Sequence, residues 1–186
     1  MQVTISAADL QRYMNSRPST LQHPEEWLAW LNNKRYYGKQ STHPPSRVLS
    51  EIKYPGNPTL SSYLSQWETP LMGPGLSQYD NDREQWTFSL WGTSDNYGAL
   101  ISLLNALRGI EQYLSSDQSG SIIIYDHQWE AHDADTAIIL TGHNQSKLLS
   151  NPTPEQIQLA KNWFAQWRQQ LAKKQSSATQ GSTSHE

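Results

Sequence analysis

Residues 124–135, IYDHQWEAHDAD, place two histidines, four carboxylates and a tryptophan between two short apolar runs. Three chemistries are open to such a set. A divalent metal needs three or four nitrogen or oxygen ligands converging at about 2.0–2.2 Å. His127, Glu130 and His132 supply imidazole and carboxylate, with Asp126, Asp133 and Asp135 as further oxygen donors. That spacing matches no established metal motif: on an extended strand His127 and His132 face opposite sides, and only a looped backbone brings them together. Glu130 with His132 is also an acid–base pair, because imidazole titrates near neutral pH. The third chemistry is recognition: Asp126, Glu130, Asp133 and Asp135 pairing with Lys or Arg of a partner, with Trp129 as an aromatic anchor. YDNDRE at 79–84, with Asp80 and Asp82, extends such an acidic surface.

The charge distribution favours recognition. The net charge of −3 is uneven. Residues 1–53 carry seven Lys/Arg against four acids, and 147–186 carry five against two, a balance of +3 each. Residues 54–146 carry only Arg83 and Arg108 against eleven acids, a balance of −9. A field of that sign repels phosphates and attracts basic proteins or cations. NKRYYGK (33–39) mixes basic and aromatic residues as nucleic-acid sites do, but beside an acidic centre it reads as a solvated helix end. The sequence shows no GxSxG, HExxH, phosphate-loop or GxGxxG pattern. With no Cys there is no disulfide, thiolate metal site or Cys nucleophile. No cofactor is called for.

The elements that must hold these residues follow from periodicity. QVTI (2–5) reads as a short strand, and Ser6 caps a helix with Asp9 at the capping-box position. HPEEWLAWLNNKRYYG reads as one helix, with Pro24, Glu25 and Glu26 at its start and Lys34 and Arg35 near its end. Residues 39–85 hold six of the ten prolines and read as irregular, with a short helix over PTLSSYLSQW and turns at MGPG and YDNDREQ. WTFSLW alternates as a strand. Ser94 or Asp95 caps a helix over about 96–114, and SIIIY and TAIILT are further strands. Thr153, Pro154 and Gln156 start a last helix. Of the eight tryptophans, Trp27, Trp30, Trp163 and Trp167 lie on helix apolar faces, whereas Trp67 and Trp129 fall near loops. His143, in TGHNQS, reads as a turn residue.

The fold class that results is α+β: a small mixed three- to four-stranded sheet with a β-α-β-β core, packed against flanking helices. It forms a single domain over 1–174, with an irregular Pro-rich segment at 39–85 and a disordered tail at 175–186. No secretory leader and no apolar run of about 20 residues is seen, which points to a soluble, cytoplasmic chain.

The function expected is non-enzymatic: an acidic, Trp-containing surface offered to a basic protein, with neither nucleic acid nor membrane as partner. Small, soluble, cysteine-free bacterial immunity proteins and antitoxins resemble this chain in general character, without a shared motif. The resemblance implies a partner such as a nuclease toxin, blocked at its active site. Two alternatives stand beside it: a metal-dependent hydrolase using His127, Glu130 and His132, and a carbohydrate-binding or structural assembly subunit using the tryptophans.

Overall fold

The computed structural model describes residues 1–32, 35–36, 39–40, 44–50, 52–68, 75–90, 96–124, 137–149, 152–159, 161–163, 165–166 and 168–169. The chain divides into two compact units, Met1–Asn151 and Pro152–Glu186.

The first unit is built on a six-stranded antiparallel sheet, larger than the three to four strands the sequence suggests. Its strands are β1 (Gln2–Thr4), β4 (Gly75–Asp80), β5 (Gln85–Leu90), β6 (Ser119–Ile124), β7 (Ala137–Gly142) and β8 (Gln145–Leu149), in the order β4-β5-β1-β6-β7-β8. The α+β class holds. Two strands escape periodicity. GLSQYD of β4 is mostly polar and begins with glycine, and QSKLL of β8 follows a two-residue turn too closely to stand out. The Pro-rich 39–85 stretch, expected to be irregular apart from a short helix over 58–67, contains that helix, α4 (Leu60–Ser65), and in addition α3 (Pro45–Ser50) and β4.

β1 sits at the centre. Val3 and Ile5 are buried while Thr4 is exposed, so the strand offers the core one face. Met1 and Phe88 exchange both backbone bonds, at 2.7 and 2.9 Å, continuing the β1–β5 ladder. β5 and β6 are each antiparallel to β1 and therefore run in the same direction, with β1 between them. Val3 lies opposite Gly120, where an added Cβ would come within 2.7 Å of Gln2 O and of Val3 Cβ. Glycine is what lets β1 seat against β6.

The remaining helices are α1 (Ala7–Asn15), α2 (Pro24–Asn32) and α5 (Tyr97–Arg108). Ser6 caps α1 as its sequence suggests, its Oγ accepting from Asp9 N at 3.1 Å. α2 stops at Asn32, well before the end expected at Gly38. Arg35–Tyr36 (β2) instead pairs antiparallel with Lys39–Gln40 (β3). Tyrosine is a good strand former, and Arg35 and Tyr36, expected to be helical, pair as a strand instead. Asn96, not Ser94 or Asp95, is the N-cap of α5, its Oδ1 accepting from Gly98 N and Ala99 N.

The core lies on one face of the sheet. Val3, Trp86, Phe88, Ile122, Ile139 and Leu148 meet Trp27, Trp30, Ile101, Leu104 and Ile110 in one cluster. Trp67, expected near a loop, is also buried there. Asn105, wholly buried, is its polar hub. Its Oδ1 accepts from Gln22 N at 2.8 Å, and its Nδ2 donates to Ser19 O and Tyr54 Oη. One side chain thereby ties the 19–22 segment to α5.

In the second unit, Thr153 N donates to Gln156 Oε1 and Gln156 N to Thr153 Oγ1, the reciprocal capping box expected from the sequence. The residues from 154 to 159 are helical and Trp163 is half-buried. Ala160, Phe164, Trp167, Leu171 and the 175–186 tail lie outside the described residues.

Candidate functional site

The acidic stretch is anchored by two strand ends. Ile124 and Ala137 face each other across the β6–β7 ladder and both are buried, backed by the Ile122–Ile139 pair. Asp126, His127, Trp129, Glu130, His132, Asp133 and Asp135 lie outside the described residues, so the frame is described and its cargo is not.

Strand directions fix where that frame opens. Ile124, Ala137, Leu90 and Gly75 all end at one edge of the ladder pattern, and Leu149 lies there too, paired with Ile138. Asp80 and Asp82 sit at the opposite end, where Asp80 pairs with Gln85 and Gln85 with Thr4. At about 3.3 Å per residue a six-residue strand separates the two ends by roughly 17–20 Å. The Asp80 turn and the strand ends that hold 125–136 are therefore not brought together.

Asp80 also has local work. Its Oδ1 accepts from Asp82 N at 3.0 Å and Arg83 N at 3.2 Å, and its Oδ2 lies 3.7 Å from Arg83 Nε. This is an Asx turn, in which the carboxylate organises its own hairpin. Asp82 is exposed.

The polar group that sequence reasoning missed is centred on Arg108, which is 0 % exposed. Its Nη2 donates to Glu26 Oε2 at 2.6 Å and to Ser146 O at 2.9 Å, and its Nε donates to Ser146 Oγ. Its guanidinium also stands over the Trp27 ring, 5.6 Å from the centroid. Glu26 accepts a second bond, from Leu148 N at 3.0 Å. Arg108 lies at the end of the apolar stripe of α5 and Glu26 among first-turn acids, and nothing local signals that they meet. The one sequence hint is a cation on the margin of an otherwise apolar face.

Two histidines are described nearby. His23 Nε2 lies 3.6 Å from Glu111 Oε1 and its Nδ1 lies 4.0 Å from Glu25 Oε1. His143 sits in the β7–β8 turn, its Nδ1 donating to Leu114 O, which leaves Nε2 to accept from Asn144 Nδ2 at 2.9 Å. It is a turn residue, as its sequence suggests. Among the described residues no group of three or more His, Asp or Glu is arranged to hold a metal ion. Burial raises the Tyr63 hydroxyl to about 12 and raises Tyr54, effects of packing rather than of a reaction site. No helix among the described residues is long and apolar enough to cross a membrane.

Set against the models of known protein families, against characterised proteins and against solved structures, the chain matches none.

Proposed function

We propose that this chain is a non-enzymatic binding protein that presents an acidic, Trp-containing surface to a basic protein, as an immunity or antitoxin-type protein of the bacterial cytoplasm does to a toxin. The observation that carries this reading is the state of the only two cations between residues 54 and 146. Arg108 is buried on Glu26, and Arg83 pairs with Asp80 inside its own turn. Arg108 therefore offsets none of the eleven acids of that stretch, and Arg83 offsets one, Asp80. Asp126, Glu130, Asp133 and Asp135 would pair with Lys or Arg of the partner and Trp129 would fill a pocket, while Asp80 and Asp82 would add acidic charge from the end of the sheet opposite Ile124 and Ala137. Long-range attraction would speed encounter, and the aromatic anchor would slow release.

The test begins with capture of partners on the immobilised chain from its native host at low and high salt, identified by mass spectrometry. The captured protein is then used for association kinetics against wild type and the double reversal Asp133→Lys/Asp135→Lys. The expected result is association slowed at least tenfold and a flatter dependence on ionic strength, with the melting temperature unchanged. Equal association rates, or unfolding of the variant, would overturn the reading. Stoichiometric metal in the purified protein, with a lower melting temperature after chelation, would support a hydrolase using His127, Glu130 and His132 instead.

A further inference from the structure

The two edges of the sheet differ in their backbone hydrogen bonding. In an antiparallel ladder each residue points its N–H and C=O to one side, and neighbours alternate. On β8, Ser146 and Leu148 point outward. Ser146 O is taken by Arg108 Nη2 and Leu148 N by Glu26 Oε2, so an ion pair stands where a next strand would bond. Asn144 N, just before the strand, donates to Glu111 O at 2.9 Å. Exposed Lys147 adds a charge along the same strand. These are the means by which proteins blunt an edge.

β4 has no side chain bonded to its outward backbone groups, and its one charge, Asp80, sits at its end and is held in the turn. Phe88 bonds to Met1 across β1, so Thr87 and Ser89 bond to β4, and their partners Gln78 and Leu76 point inward. Ser77 and Tyr79 therefore direct their N–H and C=O outward, and neither group has a bonding partner among the described residues. No Lys, Arg or Pro occurs from Gly75 to Asp80. The edge is also stiff: Tyr79 Oη donates to Ile5 O at 2.9 Å, and Trp86 Nε1 donates to Ser77 Oγ at 3.0 Å. Its order is held by its own sheet rather than by a partner.

We infer that β4 is a strand-pairing edge whose occupant is β4 of a second copy, antiparallel about a two-fold axis at Gln78. Ser77 of one copy and Tyr79 of the other are both outward-pointing, so they exchange two bonds on each side of the axis. Charge supports self-pairing: Asp80 falls opposite Leu76 of the second copy, Gln78 opposite Gln78, and no like charges meet. A heterologous contact would leave an edge open, whereas this two-fold pairing closes both β4 edges at once. One pair of short strands buries less than a standard stable interface, so association is weak and concentration-dependent.

Because the chain lacks Cys, a single introduced thiol reports the geometry. Gln78→Cys places two thiols across the axis, and Lys147→Cys is the control on the guarded edge. Sedimentation of wild type from micromolar to millimolar concentration should show a monomer–dimer equilibrium. Mild oxidation should link Gln78→Cys into dimers and leave Lys147→Cys monomeric. Gln78→Lys, which sets two like charges at the axis without touching the core, should abolish the dimer in low salt and keep the wild-type melting temperature. A wild type monomeric at millimolar concentration, a dimer that Gln78→Lys leaves intact, or crosslinking as efficient through Lys147→Cys would each overturn the assignment.

Discussion

β8 and β4 end the same sheet, yet one is closed by side chains brought from far along the chain and the other is left as the ladder makes it. Glu26 is 122 residues from Leu148, and Arg108 is 38 from Ser146. β8 therefore has two of its outward groups, Ser146 O and Leu148 N, bonded only once α2 and α5 have docked, which couples the edge to the core. β4 depends on its hairpin with β5, on the Trp86–Ser77 bond inside that hairpin, and on one distant bond, from Tyr79 Oη to Ile5 O 74 residues away, but none of these touches its outward backbone groups. The contrast teaches that closing a sheet edge here is a tertiary property, carried by one buried ion pair rather than by the edge strand's own composition.

The largest expected effect comes from breaking that pair on one side. Arg108→Leu removes a buried cation and leaves the Glu26 carboxylate and Ser146 O without their partner. Loss of one member of a fully buried pair costs about 3–5 kcal/mol, and with Glu26 26 % exposed and still bonded by Leu148 N the cost here should be about 3 kcal/mol or less. The double variant Glu26→Leu/Arg108→Leu should recover part of that loss, because both charges are then gone, although Leu148 N still lacks an acceptor. Urea denaturation of the three proteins gives the comparison. If Arg108→Leu were as stable as wild type, β8 would not be closed by the pair, and the contrast between the two edges would fail.

A second change tests whether the edges belong to one cooperative sheet. The two halves, β4-β5-β1 and β6-β7-β8, meet at the β1–β6 seam, where Gly120 faces Val3. In Gly120→Ala the new methyl would lie 2.7 Å from Gln2 O, a backbone atom held in the ladder, and 2.8 Å from Val3 Cγ2. Overpacking of this kind costs about 1–3 kcal/mol. Hydrogen exchange should show protection falling in β5 and β7 alike. A loss confined to β6–β8 would mean that the halves open separately.

What was legible in the sequence follows the same division between local and distant causes. The N-cap at Ser6, the capping box at Thr153, the helix expected over about 96–114, present as α5 from Tyr97 to Arg108, and the strands expected at 86–91, 121–125 and 136–141, present as β5, β6 and β7, are written in neighbouring residues; Trp91, Tyr125 and Thr136 lie outside the described residues. β4 was lost because a strand exposed on one face and at its edge needs few apolar residues, so GLSQYD carries no alternation to read. The early end of α2 was lost because Glu25, Glu26 and Trp27 support a helix start without saying where it stops. Of the candidate site, the two anchoring strands were legible. The distance of Asp80 from those anchors was not, because it depends on β1 inserting between β5 and β6 and setting the strand directions.

The smallest expected effects lie in the two hairpin turns that lead to the edges. Asn144, before β8, has φ 51°, and Glu84, before β5, has φ 47°. Both lie in the left-handed region, which a Cβ disfavours by roughly 1–2 kcal/mol and which asparagine tolerates better than most residues. The β7–β8 turn thus carries a suitable residue and the β4–β5 turn an unsuitable one. Asn144→Ala should destabilise by about 1 kcal/mol, whereas Glu84→Asn should stabilise by about 0.5 kcal/mol. The Glu84 change preserves the bond from Ile5 N to Glu84 O, since only the side chain changes. Thermal melts at matched ionic strength resolve the two signs. Opposite signs would mean that the guarded edge is also the one with the better-adapted turn. If Glu84→Asn lowered the melting temperature, the Glu84 side chain would be contributing something its φ does not reveal, and the open edge would be better adapted than its turn suggests.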